Sequence, residues 1–519
     1  MHKFSQKLFK DSAKIPERRE ELAASSRVDS PVNAMLQSIG QAVPGLVLTR
    51  VGFLEGEQRE RKKEQDMLCS TIFIISRRYR RHAMTCSERV SQWTATVSRQ
   101  LPHLSRPQAR VLALWSLGMV LAHSCGLSQV SALLALLLGQ QEETLRQRLR
   151  EWYYPAEDKA GKTRRTLEVE ACFAPLLRWV LAWWPEDHQE LALALDATTL
   201  GQRFTVLCIS VLVRGCAIPV AWKVLAYNQK GSWQPHWQAL LAHLDGVIPA
   251  EWKVLVLADR GLYAPWLYRQ IVAQGWHPFL RINLGAKACV QGSDRWEWIS
   301  HWLPAVGEQW VQRVACFADR KTRLDCTLLI CREAGYEEAW VVVTDLPAHQ
   351  IHGAWYRLRA WIEGGFKDYK RGQWGWHHTK MLDPDRAARL WLALAVSTLW
   401  VVGVGSQAEV RRPAKQSEQL PPRHVARQTA GSGTKGPRGR ELSCVTRGRL
   451  CLIATVCLGE AWPEAALWPE AWPQHFPVAR TLPAAQLQKR QKERQRQRVK
   501  RRKRKAARRA GKDKRKQVA

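Results

Sequence analysis

Between Glu190 and Gly275 the chain switches repeatedly between two periodicities, and this switching limits the fold more than any other feature. Leu191–Leu195, Phe204–Val213, Ala217–Ala226 and Lys253–Ala258 are short runs dominated by Val, Ile, Leu and Ala. They are short for helices and read as buried strands. Ser232–Leu244 and Leu262–Gln274 space their apolar residues at helical intervals, and Gly275 closes the second. Three strands, a helix, a strand and a helix predict an α/β layer built on a mixed sheet.

Two of these strands run into an aspartate, Asp196 in Ala-Leu-Asp-Ala-Thr-Thr and Asp259 in Leu-Ala-Asp-Arg-Gly. A carboxylate just after a strand projects into the crevice where open α/β sheets bind ligands. A capping aspartate is the ordinary alternative. Further on, Tyr356, Arg359, Glu363 and Lys370 fall at offsets 0, 3, 7 and 14. At about 100° per residue, an α-helix places all four within roughly 60° of one another. That stripe joins one carboxylate, able to hold a metal ion, to two cations and a phenol suited to phosphate oxygens. A solvated face of ordinary ion pairs would look similar. Gly364 and Gly365 follow the glutamate. Each costs about 1 kcal/mol relative to Ala inside a helix, which predicts either a bend or a backbone bared for a ligand. Three carboxylates without neutralising partners would repel one another. Two Mg²⁺ ions about 3.5–4 Å apart would compensate them and are suited to phosphoryl transfer.

Around this core the composition divides the chain. Residues 1–83 lack sustained periodicity and read as an upstream extension or a disordered arm. Residues 84–187 are helical in pattern: Ser105-Arg-Pro starts one helix, Gln129–Leu138 forms another, and Gly139-Gln-Gln turns into Glu142–Trp152 with Arg146, Arg148 and Arg150. The last two resemble a helix-turn-helix, although a plain helical hairpin gives the same pattern. Residues 188–407 form the α/β region, with a β-rich insertion at 280–345 carrying the strand-like runs Trp310–Phe317, Leu324–Cys331 and Ala339–Thr344. The apolar run Leu390–Gly405 reads as a buried core helix rather than a membrane span. Residues 408–488 read as a linker followed by a Trp/Pro-containing segment, and 489–519 as a basic tail.

The net charge is +34, of which Lys489–Ala519 supplies +16, so the body is basic as well as the tail. Such an excess points to a polyanionic partner, and its spread through a Trp-rich globular sequence favours nucleic acid over a membrane. The tail would add non-specific attraction to DNA through counterion release; a localisation signal or a frameshifted extension would read the same way. The 13 cysteines form no CxxC pair, and the start lacks an apolar leader. The expectation is a reducing cytoplasm, no structural metal and cysteines packed as small apolar groups.

The Tyr-x2-Arg-x3-Glu-x6-Lys signature resembles that of the DDE transposases of the insertion-sequence-4 family, and matches at all four positions. The Asp-Arg-Gly-x-Tyr setting of Asp259 and the β-rich insertion before the glutamate are similar as well. The resemblance spans roughly residues 105–405. It implies a ribonuclease-H-like, retroviral-integrase-type core, preceded by a helical DNA-binding region. It also implies cut-and-paste transposition at terminal inverted repeats on double-stranded DNA. Asp196, Asp259 and Glu363 would hold two Mg²⁺ ions, for which Mn²⁺ can substitute, while Tyr356, Arg359 and Lys370 would grip phosphates. Trp340, in Ala339-Trp-Val-Val-Val-Thr, would stack on a flipped base, unless it is a core residue of its strand. Arg260, Thr198 and Thr199 are further phosphate or supporting contacts. A homodimer on DNA and a bacterial, nucleoid-associated setting are implied too. A catalytically inactive DNA-binding relative and a nuclease without strand transfer remain open.

Overall fold

The computed structural model describes residues 84–161, 164–333, 338–411 and 442–474. The readings of 1–83, of 412–441 and of the basic tail fall outside these residues. The described residues all fall within one compact unit.

The expected strands and helices form close to their expected places. β1 (Glu190–Leu200), β2 (Phe204–Val213) and β3 (Cys216–Ala226) make an antiparallel meander. The β2–β3 turn is Arg214-Gly215, both residues with positive φ, the backbone a tight two-residue hairpin requires. α6 (Gln234–Ala242), β4 (Lys253–Ala258), α7 (Pro265–Ala273) and β5 (His277–Arg281) follow. β4 runs parallel to β1 and β5 parallel to β4. β2 is buried along its whole length, which is why its sequence is apolar at all but Thr205 and Ser210 rather than alternating.

The insertion is not a separate layer. β6 (Lys287–Val290), β7 (Glu297–Trp298), β8 (Gln309–Cys316), β9 (Leu324–Cys331) and β10 (Trp340–Thr344) extend the same sheet, giving the order β3-β2-β1-β4-β5-β10-β9-β8-β6-β7. β5 lies between β4 and β10, so the expected insertion boundary at 280 cuts through a strand that pairs with β4.

Helices α1 (Cys86–Gln100), α2 (Arg106–Ala122), α3 (Leu127–Leu138), α4 (Glu142–Glu151) and α5 (Phe173–Ala182) precede the sheet. Capping boxes at Thr85/Glu88 and Ser105/Gln108 satisfy the first backbone donors of α1 and α2. Gly139, with φ of 61°, ends α3 before α4 begins. Trp93 of α1 stacks at 3.9 Å on Trp400 of α9 (Pro384–Arg411) and donates to Ser116 Oγ at 2.7 Å. The helical region and the sheet region therefore share one core around α9. That helix is long and apolar enough to cross a membrane, but 89% of its most apolar window is buried in protein. It runs six residues past Gly405, into the stretch expected to be linker.

Residues 442–474 also pack into the core. α10 (Cys444–Leu458) crosses α9 so closely that a Cβ on Gly448 would stand 1.7 Å from the Val401 carbonyl oxygen. The strap that follows is pinned along its length. Arg89 donates to the Glu460 carbonyl, Leu467 N–H donates to the Trp183 carbonyl, and Arg214 donates to the Trp468 carbonyl. Farther along it, the Trp472 ring meets Trp355 edge-on at 5.1 Å.

Candidate active site

β1 and β4 pair in register up to Leu195 and Ala258. The next step along each strand is Asp196 and Asp259, so the two aspartates stand side by side, and register partners on adjacent strands share a face. Asp259 follows the end of β4 as expected. Asp196 does not follow a strand end: β1 continues to Leu200, with Asp196 opposite Cys208 of β2. The correction has a simple cause, since β1 outlasts β4 and keeps its hairpin partner after its parallel partner has turned away.

The signature does not lie on one α-helix. Gly353–Arg359 is a 3₁₀ helix, α8 (Ala360–Lys367) is an α-helix, and Asp368–Gly372 is a π turn. In a 3₁₀ helix residues i and i+3 eclipse, so Tyr356 lies above Arg359. The four side chains still converge. The Tyr356 hydroxyl donates to Asp259 Oδ1 at 3.3 Å, Arg359 Nη2 lies 2.8 Å from Asp196 Oδ2, and Arg359 Nη1 pairs with Glu363 Oε1. Lys370 is close enough for the Asp196 carboxylate to favour its charged form.

The two glycines have different reasons. A Cβ on Gly365 would sit 3.0 Å from the Ala217 Cβ of β3, whereas one on Gly364 would meet nothing within 4 Å. Gly365 is bared for the protein's own sheet, not for a ligand. This close approach lets α8 lie across the sheet and carry Glu363 towards the aspartates.

The three carboxylates have neutralising partners within the protein. One guanidinium, Arg359, serves both Asp196 and Glu363, and Arg281 Nη1 lies 3.6 Å from Asp259 Oδ1. Burial pushes the Asp196 carboxyl upward; Arg359 and the Ala197 N–H oppose that, while Glu363 and Asp259 add to it. Burial would lower Arg359, but Asp196, Tyr356, Glu363 and Asp259 together raise it, so the guanidinium is held charged. Tyr356 is raised by burial first and by the Asp259 charge next, which keeps its phenol protonated and donating. Burial and then the neighbouring Arg371 lower Lys370.

Of the other expected residues, Thr198 lies two positions beyond Asp196 on β1 and is buried, while Thr199 is exposed. Arg260 is turned towards Glu338, 2.7 Å away. Trp340 begins β10, is 5% exposed and meets the Tyr356 ring edge-on at 5.2 Å, so it sits in the wall behind the signature. Arg281, on β5, escaped the sequence reading. It links Asp259 to Glu338, at 3.1 Å from the latter, and belongs to no local motif. Only the pairing of β5 with β4 reveals it.

The chemistry of the donor set suits a hard divalent cation, which prefers carboxylate oxygens. Its placement does not. Among the described residues no three His, Cys, Asp or Glu side chains are gathered closely enough to hold a metal ion, and the Arg359 guanidinium joins two of the three carboxylates instead.

A family model described as "Transposase DDE domain" matches residues 190–400, from the first residue of β1 into α9. No curated protein matches the chain. Among solved structures, the cryo-electron microscopy structure of a piggyBac transposase synaptic complex with hairpin DNA is similar at 10% identity and a TM-score of 0.29. That similarity covers 72% of this chain and 88% of that chain. The family match encloses both aspartates and the whole signature, and supports a DDE transposase.

Proposed function

We propose that the chain is a DNA transposase of the insertion-sequence-4 type, which cuts and pastes a DNA element at its terminal inverted repeats. The observation that carries this reading is the meeting of Asp196, Asp259 and Glu363 with Tyr356, Arg359 and Lys370. They come from β1, the end of β4 and a helix more than a hundred residues further on. The order β3-β2-β1-β4-β5, with β1, β4 and β5 parallel and β2 and β3 antiparallel, is read as a ribonuclease-H-like core.

Divalent cations held by Asp196, Asp259 and Glu363, Mg²⁺ in the first instance and Mn²⁺ as a substitute, would activate the attacking oxygen and stabilise the leaving one. The chain's own residues do the rest. Arg359 and Lys370 offer charge-assisted hydrogen bonds to phosphate oxygens, and Arg359's planar fork suits two of them at once. Tyr356 holds Asp259 in place by donating to it. Arg260 and Arg281 lie on the Asp259 side and would steady the flanking phosphates once Glu338 releases them. Trp340 backs Tyr356, and base stacking by this ring would require it to leave that wall. Half-buried Arg148 and Arg150 of α4, together with the basic tail, would add duplex contacts. Synapsis of two element ends calls for at least a homodimer on DNA, in the cytoplasm and at the nucleoid.

The test is cleavage of a duplex carrying the ends that flank the gene, with Mg²⁺, by the parent chain beside Glu363→Ala. Cuts at the ends by the parent and none by the variant are expected. Binding without cutting by either would replace this reading with that of a DNA-binding relative, and cutting without strand transfer with that of a nuclease.

A further inference from the structure

The signature lysine stands where its helix runs out of backbone partners. Gln373 N–H bonds the Asp368 carbonyl five residues back at 2.7 Å, which closes the π turn. Trp374 N–H, the donor that an α-helix would give to the Lys370 carbonyl, is bound to Asp368 at 3.1 Å instead. The Lys370 carbonyl is met by a side chain, through Nδ1 of His377. A carbonyl oxygen only accepts, so His377 Nδ1 carries the proton and donates it. We propose that His377 is a positioning residue for Lys370: by holding that carbonyl it keeps the π turn from relaxing, and so sets where the lysine meets a DNA phosphate. The proposal rests on the reading of Lys370 as a phosphate contact.

His377 is itself held from two sides. Trp376 before it is fully buried, its ring stacked with Phe204 of β2 at 6.1 Å and edge-on to Trp391 of α9 at 5.2 Å. The Arg203 guanidinium donates to the His377 carbonyl at 3.2 Å and to the Thr379 carbonyl. Arg203 belongs to the turn between β1 and β2. Its N–H donates to the Leu200 carbonyl at 3.1 Å, and its own carbonyl accepts from Tyr227 N–H at 2.9 Å. Hydrogen bonds with a charged donor are among the stronger ones, which makes Arg203 a firm base. A run of contacts thus leads from the strand that carries Asp196, through Arg203 and His377, to Lys370.

The competing bond shows what this tie prevents. Without His377, Trp374 N–H is the ordinary helical partner for the Lys370 carbonyl, and taking it would draw the turn from π to α. Lys370 would then rotate about the helix axis, away from its present direction beside Asp196. A lysine is a point charge on a flexible stem, so the setting of its backbone decides which phosphate it reaches.

The salt dependence of DNA binding tests this with neither metal nor catalysis. One phosphate contact contributes about 0.9 to the slope of log affinity against log salt on duplex DNA. The full-length parent and its variants would be titrated, with a chelator present, onto a duplex carrying the ends that flank the gene. Lys370→Gln should lower the slope by about 0.9. His377→Ala should lower it by a similar amount although Lys370 is intact, and the double variant should lower it no further. His377→Asn, whose amide can donate to the same carbonyl, should keep most of the parent slope. A variant that is only less stable has a smaller active fraction, which shifts the apparent affinity and leaves the slope alone. A parent-like slope in His377→Ala beside a lowered one in Lys370→Gln would overturn the positioning role and leave Lys370 a phosphate contact. So would a His377→Asn slope no higher than that of His377→Ala, or a double variant that loses about twice as much, which would mean that His377 meets DNA by itself. An unchanged slope in Lys370→Gln would overturn the phosphate reading and the proposal with it.

Discussion

Gly364 and Gly365 are adjacent in one short helix, yet alanine should act on them in opposite directions. Gly364 has open space where its Cβ would be. Alanine there only removes glycine's helix penalty, a gain of about 0.5–1 kcal/mol. At Gly365 the same propensity gain applies, but the new Cβ would lie 3.0 Å from the Ala217 Cβ and 3.4 Å from its carbonyl oxygen. Carbon atoms pack best at about 3.5–4.0 Å, so α8 would have to lift from β3. Overpacking of this kind costs about 1–3 kcal/mol, which outweighs the gain and leaves a net loss of roughly 0–2 kcal/mol. The two variants should therefore differ by about 1–3 kcal/mol. Denaturant midpoints of the parent, Gly364→Ala and Gly365→Ala would measure this directly, with the unfolding slope checked for constancy. Equal shifts, or a more stable Gly365→Ala, would refute the account of why the signature carries two glycines. A Gly364→Ala protein that is more stable yet binds DNA more weakly would show that the open side of that glycine faces the nucleic acid.

Two other predictions concern groups that hold the signature from behind. Burial raises the Asp368 carboxyl to about 6 from its ordinary 3.8. The folded protein thus binds this proton more tightly than the unfolded chain, and the resulting stability is present below pH 4 and is lost as pH rises through about 6. Asp368→Asn removes that dependence, so its stability relative to the parent should grow by up to roughly 3 kcal/mol between pH 4 and 7. A difference that does not change with pH would rule the account out. Arg357, beside Tyr356 in the 3₁₀ turn, pairs with Glu333, and both are buried. Glu333→Ala should destabilise by about 3–5 kcal/mol, with much of the loss recovered in Glu333→Leu/Arg357→Met; a loss under about 1 kcal/mol would show that the pair is not effectively desolvated.

What could be read along the chain depended on how local its cause is. The strand runs at 204–213 and 253–258, the helices around 234–242 and 265–273, and the capped start of α2 depend on neighbouring residues, so a one-dimensional pattern suffices. β5 was missed because His277-Pro-Phe-Leu-Arg has three buried residues, too few to show a period. Its strand character comes from pairing with β4 and β10. The packed segment at 442–474 was missed for a similar reason: its contacts reach residues as distant as Arg89, Trp183 and Arg214.

The sequence by itself determined which chemical groups the site contains. The residue types and spacing of the signature, an aspartate directly after each of two apolar runs, and the charge are covalent facts. The tertiary structure decided how those groups are arranged. The register of β1 against β4 sets Asp196 beside Asp259. The change from 3₁₀ to α to π turn sets the direction of each signature side chain. The meeting of β5 with β4 supplies Arg281. Whether three carboxylates face a metal or an arginine depends on which side chains lie within a few ångströms of them. Electrostatic energy falls with distance in space and with local screening, not with separation along the chain, and only the folded chain sets those distances.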